Sequence, residues 1–165
     1  MSLGRTIRRF QPGDETAFRE LNEAWISKFF RLEDKDRETL NHPEKHILAK
    51  GGQIFMAVVD EEPVGCCALM KMSDTTMEVA KMAVNEEYQG QGIGRSLLAA
   101  VIEWARRHKL HRLYLETNHI LTPAITLYQS LGFRPVPVDR LMKSPYKRAD
   151  VFMELWLEPQ WLECL

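Results

Sequence analysis

The stretch VNEEYQGQGIGRSLLAAVIEWA, Val84 to Ala105, sets three glycines within five residues directly ahead of a run with helical apolar spacing. Glycine loses more backbone freedom on folding than any other residue, so this density implies unusual dihedral angles or a close approach. Leu97, Leu98, Val101, Trp104 and Ala105 fall on one face, which predicts a helix from Gly92 to about His108 with a buried inner side. Two familiar phosphate loops do not fit. The ATPase string G-x-x-x-x-G-K-[ST] is absent, and the dinucleotide string G-x-G-x-x-G would need glycine where the chain has Arg95 or Leu97. What remains is Q-x-x-G-x-G, filled by Gln89, Gly92 and Gly94. Successive N–H groups in such a turn, joined to the unpaired N–H groups of a helix start, form a concave anion site, and Arg95 adds positive charge. Taken alone, the loop also fits a glycine-rich turn that only packs a helix on its strand.

Outward from the loop, TTMEVAKMAV (Thr76 to Val84) reads as a strand. Alternation places Glu78, Ala80, Met82 and Val84 on one face and Met77, Val79, Lys81 and Ala83 on the other. Upstream, Ile54–Val59 and Val64–Met72 flank the turn residues Asp60 to Pro63, a hairpin pattern. Thr6 to Phe10 is a short strand, followed by Asp14 as a helix N-cap. Phe18, Leu21, Trp25 and Phe29 share a helical stripe that Ile26 and Phe30 broaden. A second, shorter helix is expected within Glu38 to Lys50, with Pro43 near its start.

Downstream, RLYLET reads as a strand and TPAITLYQSLGF as a helix opened by Thr122-Pro123 and closed by Gly132. Late strands near Arg134–Val138 and Val151–Leu157 bracket the polar loop DRLMKSPYKRAD. The order β, α, α, β, β, β, α, β, α, β, β predicts an α/β fold, a mixed sheet with helices on its faces. One domain is expected over residues 1–165.

The composition, 45% hydrophobic and 27% charged with a formal net charge of -1, gives no drive toward nucleic acid. No apolar run approaches the ~20 residues that span a bilayer, and the first ten residues lack an apolar signal core, so no membrane role is expected. Adjacent Cys66 and Cys67, with Cys164, make no disulfide framework, which fits a cytoplasmic location. His42 and His46 have the spacing of a metal pair. However, Pro43 stands where a metalloprotease carries its glutamate and no third ligand offers itself, so no metal is expected.

Joined to N-x-x-L-x-P-A-x-x-L-Y-x-x-L-G-F from Asn118 to Phe133, the loop resembles the GNAT superfamily of acyl-CoA-dependent N-acyltransferases over nearly the whole chain. The resemblance implies a mostly antiparallel sheet, splayed where acetyl-CoA binds. Backbone amides of Gln89, Gly90, Gln91, Gly92, Ile93, Gly94 and Arg95 would hold the pyrophosphate. The strand edge at Met82, Ala83 and Val84 would pair with the pantetheine arm, and Asn118 would touch it. A backbone N–H near Met82 would face the oxyanion. Tyr128 matches the tyrosine that protonates the departing thiolate; its plain alternative is a core tyrosine capping the helix against the sheet. Glu78 matches a base found in some members, and its plain alternative is a solvent-facing strand residue. Glu116 would face the acceptor, while Asn118 also fits a simple turn.

In the family the first two helices and a late loop wall the acceptor pocket. Here that implies Trp25, Phe29 and Phe30 beside Glu33, Asp34 and Asp36, and, from the loop, Tyr146, Lys147 and Arg148, the last able to pair an acceptor's carboxylate. The implied activity is acetylation of a small-molecule amine or amino-acid-like acceptor. A protein or peptide acceptor, and a non-catalytic acyl-CoA sensor, are the alternatives. Trp156, Trp161 and Leu162 would cover a homodimer edge or close the monomer core.

Overall fold

The structure is a computed structural model that describes residues 4–157, so Cys164, Trp161 and Leu162 lie outside the described residues. Its elements are β1 (Arg5–Arg9), α1 (Glu15–Phe29), α2 (Asp34–Asn41), β2 (Gln53–Val59), β3 (Glu62–Lys71), β4 (Thr76–Val84), α3 (Ile93–Arg107), β5 (Arg112–Thr117), α4 (Thr122–Ser130), β6 (Arg134–Pro135) and β7 (Val151–Trp156). They follow the expected order. The seven strands form one sheet, ordered β1-β2-β3-β4-β5-β7-β6, in which only β4–β5 is parallel.

Helices cover both faces. On one, Leu97, Leu98, Val101 and Ala105 of α3 are fully buried with Cys67 and Phe133. Each of the buried leucines and the valine contributes ~1.5–3 kcal/mol. On the other face, Phe18 and Ile26 of α1 and Leu40 of α2 pack with Cys66. The two cysteines point to opposite sides as small apolar fillers. Burial pushes the Cys66 thiol up to about 12, so it stays protonated.

The structure differs locally from the sequence reading in four elements, β4 most of all. The second helix begins at Asp34, well before Glu38, because Glu33 and Asp36 close a reciprocal capping box at its start. Pro43 therefore follows the helix, and a turn of π-helix, Glu44–Leu48, comes next. In the β2–β3 hairpin the turn is only Asp60-Glu61, with φ of 49° and 68°, the pair of positive angles that a tight two-residue turn demands. Strand β3 thus starts at Glu62, with a register shift beside Pro63, where no N–H is needed. Strand β6 is cut to Arg134–Pro135, since Pro135 and Pro137 cannot donate to a ladder.

The decisive irregularity lies in β4. Cys66 pairs with Ala83 and Ala68 with Ala80, so Lys81 and Met82 together oppose Cys67. This is a bulge, and Lys81 takes a left-handed φ of 52°. The extra residue reverses the alternation beyond it. Met82 and Val84 pack on the α3 side with Met77 and Val79, while Ala83 joins the α1 side. Lys81, expected opposite Glu78, instead shares its face.

Candidate active site

Strand β4 pairs with β5 only from Thr76↔Arg112 to Val79↔Leu115. Beyond Val79 the two strands part: β5 continues on β7 as far as Thr117↔Val151, and β4 on β3 as far as Val84↔Gly65. The gap between them opens into a cavity of about 690 Å³. It reaches the glycine loop, the α1 aromatics, Glu78, Glu116 and Tyr128.

At the loop end, Gly90 and Gly92 both have φ of 79°, a conformation glycine adopts at little cost. Gly92 caps α3 with no side-chain bond, so Ile93, Gly94 and Arg95 present the orphan N–H groups of a helix start. Gln89 N–H turns onto the Glu86 carbonyl at 3.4 Å, and its side chain donates to the Val84 carbonyl at 3.1 Å. From Gly90 through Arg95, by contrast, no backbone N–H has an acceptor among the described residues. The carbonyls of this turn are engaged from behind. Arg5 donates to Gln91 O at 2.8 Å and Gly92 O at 3.0 Å, and also to Ser96 Oγ at 2.5 Å. A planar trans peptide holds N–H opposite C=O, so capturing these carbonyls turns the N–H groups of Gly92 and Ile93 away from Arg5. Arg95 itself donates to Ser130 Oγ at 2.8 Å, tying α3 to α4.

Across the sheet lies a dense ion cluster. Asp36, fully buried, receives Lys81 Nζ at 2.7 Å and both Arg148 guanidinium nitrogens at 2.7 and 2.8 Å. Arg148 also reaches Glu33 at 3.2 Å, and Lys81 donates to the Tyr146 hydroxyl at 3.0 Å. Burial pushes the Asp36 carboxyl up, but Arg148 and Lys81 overcome it and hold it at about 2. Burial lowers the Lys81 ammonium below the usual lysine range despite Asp36 beside it. The cluster pins the late loop to α2 and β4, closing one side of the cavity.

Glu78 lines the same cavity, and its carboxyl has no hydrogen-bond partner among the described residues. Burial first, then the charge of Glu116, raises it to about 7, with Lys81 opposing. Such a group can take a proton near neutral pH. Glu116 accepts from the Tyr114 hydroxyl at 2.9 Å and Ser144 Oγ at 2.5 Å, two neutral donors. Tyr128 on α4 is 8% exposed and packs on Phe133, with ring centroids 5.9 Å apart. Its hydroxyl has no partner among the described residues, and burial raises it above the usual phenol range, so it holds its proton at neutral pH.

The sequence profile of the acetyltransferase (GNAT) family matches residues 15–133. The chain belongs to that family. Bacillus subtilis YobR, an uncharacterised N-acetyltransferase, is 26% identical over 71% of this chain and 48% of its own length. Human N-acetylaspartate synthetase is 34% identical over 55% of this chain and 31% of its own. Mycothiol acetyltransferase of Thermomonospora curvata is 30% identical over 86% and 48%. The chain thus spans about half the length of these relatives or less. Among solved structures, a Staphylococcus aureus Mu50 GNAT acetyltransferase superposes with a TM-score of 0.85 at 21% identity, covering 94% of this chain and 100% of that one. Salmonella typhimurium YncA, solved with acetyl-CoA, gives 0.72 at 22%, covering 93% and 94%. At that identity both likenesses establish the fold.

GNAT enzymes use acetyl-CoA, and the residues here fit that cosubstrate on their own chemistry. A run of unbonded N–H groups suits a diphosphate, and the unpaired edge of β4 suits an amide-bearing arm. Met82, Ala83, Val84, Gly90, Gly92, Ile93, Gly94, Arg95, Gln89 and Asn118 all line the one cavity with Glu78 and Tyr128. Gln91 meets Arg5 through its carbonyl. Asn118 has both polar ends engaged, donating to Arg148 O at 2.7 Å and accepting from Ile120 N–H at 3.0 Å, which is the behaviour of a turn residue. Sequence reasoning missed Arg5 and Lys81. No signal marks Arg5, and the bulge that turns Lys81 inward arises only on pairing. It named Asp36 and Arg148 on separate elements without joining them, and it offered Arg148 to an acceptor's carboxylate. The structure instead gives that guanidinium to Asp36 and Glu33.

Proposed function

We propose that the protein transfers an acetyl group from acetyl-CoA to a primary amine of a small molecule by direct attack in a ternary complex. Acetyl-CoA supplies the activated acyl group. Forming the C–N bond and breaking the C–S bond requires that the amine lose a proton and the departing sulfur gain one. Glu78 receives the first and Tyr128 donates the second. The loop from Gly90 to Arg95 anchors the diphosphate, and the edge of β4 from Met82 to Val84 aligns the arm beside Glu78. Buried Cys66 and Cys67, both free thiols, suit a reducing cytoplasm.

One observation carries this reading: the early end of β4–β5 pairing joins the glycine loop with Glu78 and Tyr128, both without a hydrogen-bond partner among the described residues, in a single cavity. The test incubates the protein with acetyl-CoA and a mixed panel of amines, amino acids, polyamines and peptides, read by mass spectrometry. A small-molecule product gaining one acetyl group is expected, with turnover falling ~10²-fold in Tyr128→Phe while acetyl-CoA binding persists. Acetylated peptides alone would transfer the reading to a protein acceptor. Binding without any product would favour an acyl-CoA sensor.

A further inference from the structure

The acceptor end of the cavity carries a charge balance that selects among amines. Two carboxylates, Glu78 and Glu116, and two cations, Lys81 and Arg148, line it, with Asp36 and Glu33 standing behind the cations. Both cations are committed to the protein. Asp36 takes Arg148 in a two-pronged pair and Lys81 in a second contact, with their side chains only 19% and 5% exposed. A planar guanidinium already forked onto one carboxylate cannot offer the same fork to another. The carboxylates nearest the strand gap are differently placed. Glu78 has no hydrogen-bond partner among the described residues and Glu116 has only hydroxyl donors. The unspent polar capacity of the pocket is therefore anionic.

The remaining wall is aromatic. Trp25, Phe29 and Phe30 stand with ring centroids 5.6 to 6.4 Å apart along the end of α1. All three line the cavity, and Phe29 is 43% exposed although it lies on the helix's apolar stripe. Ile120, 53% exposed, is a further apolar side chain lining the cavity. Rings so placed bury a hydrocarbon body and favour a nearby ammonium through their π faces.

We infer that the acceptor is a small amine on an apolar, aryl-bearing body and that it carries no carboxylate. The inference rests on the acetyltransferase reading above and narrows it. A carboxylate beside the reacting amine meets Glu78 and Glu116 with no free cation among the described residues to answer it, and like-charge contact in a partly buried site is costly. A bare arylalkylamine brings only the cation that the two glutamates attract and the ring that α1 accommodates.

The experiment compares matched acceptors on the intact protein: phenethylamine, phenylalanine and phenylalaninamide, with spermidine and a free-N-terminus tetrapeptide alongside. Steady-state CoA release gives kcat/KM, mass spectrometry confirms the acetylated product, and calorimetry follows acetyl-CoA binding separately. The expected order is phenethylamine first, phenylalanine at least ~30-fold lower, and phenylalaninamide restored toward phenethylamine. Glu116→Gln is expected to raise KM for phenethylamine and narrow the phenethylamine-to-phenylalanine ratio several-fold. Phenylalanine equal to or better than phenethylamine overturns the inference while leaving the acetyltransferase reading intact, as does a best substrate among spermidine or the peptide. No acetylated product from any acceptor, with acetyl-CoA bound, overturns the acetyltransferase reading and the inference with it.

Discussion

Replacing Glu78 with glutamine keeps the side chain's shape and removes its ability to take a proton. The carboxyl is held at about 7, above its ordinary 4.5, first by burial and then by Glu116, with Lys81 working the other way. The hydroxyls of Tyr114 and Tyr146 also lie within reach of its charge. In the native enzyme kcat/KM should therefore fall about tenfold per pH unit below ~7, as the base becomes protonated. In Glu78→Gln, kcat/KM at pH 8 should drop ~100-fold or more, and the pH limb should move toward the amine's own ionisation near ~10.

Stability should move the opposite way. A carboxyl whose folded pKa is raised contributes stability that is complete below its unfolded value near 4.5 and is lost as pH rises through about 7. Ionising it in the folded state costs up to about 3 kcal/mol. Glutamine avoids that cost, so the variant should unfold several degrees higher than wild type at pH 8 and at nearly the same temperature at pH 5. The assay pairs CoA-release kinetics from pH 5.5 to 9 with thermal unfolding across the same range. A variant that keeps both its rate and its limb near pH 7 would refute Glu78 as the base. Lost activity with lowered stability at pH 8 would show a packing role instead.

Gly92→Val forces a β-branched residue into φ 79°, although the space is open but for Arg5 at 3.9 Å; acetyl-CoA affinity should fall at least ~10-fold, measured by calorimetry. Arg5→Ala releases the two loop carbonyls and should raise the KM for acetyl-CoA ~5–20-fold while the amine KM holds, with Arg5→Lys partly restoring it. Asp36→Ala strands Lys81 in the interior and leaves Arg148 on Glu33 alone, and should cost ~3–5 kcal/mol in denaturant unfolding. Because Asp36 is held at about 2, native stability should also decline as pH falls from ~4 toward 2, and the variant should lack that step.

The sequence was legible wherever a signal is local. The stripe Leu97, Leu98, Val101 and Ala105 marked α3 because helical spacing alone puts those side chains on one face, and all four are buried. Gly90 and Gly92 marked the loop because left-handed backbone selects glycine residue by residue. The segment from Asn118 to Phe133 stood out for the same reason, as a helix start, a tyrosine and a glycine stop at fixed offsets.

The acceptor side was legible only in part: Trp25, Phe29, Phe30, Glu116, Tyr146 and Arg148 do line the cavity, but their partners and facing were not legible. Strand alternation from Thr76 to Val84 predicted the wrong face for Lys81, since the bulge opposite Cys67 exists only in the pairing with β3. Arg148 looked available to a ligand because its partner, Asp36, is 112 residues away in the chain. Arg5 gave no signal because the loop it holds lies 86 residues further on. Periodicity and backbone preference belong to a few neighbouring residues and determined α1, α3, α4, the hairpin and the glycine loop. Register, the early parting of β4 from β5 and the choice of ion partners are relations between distant segments, and these were decided only when the sheet brought those segments together.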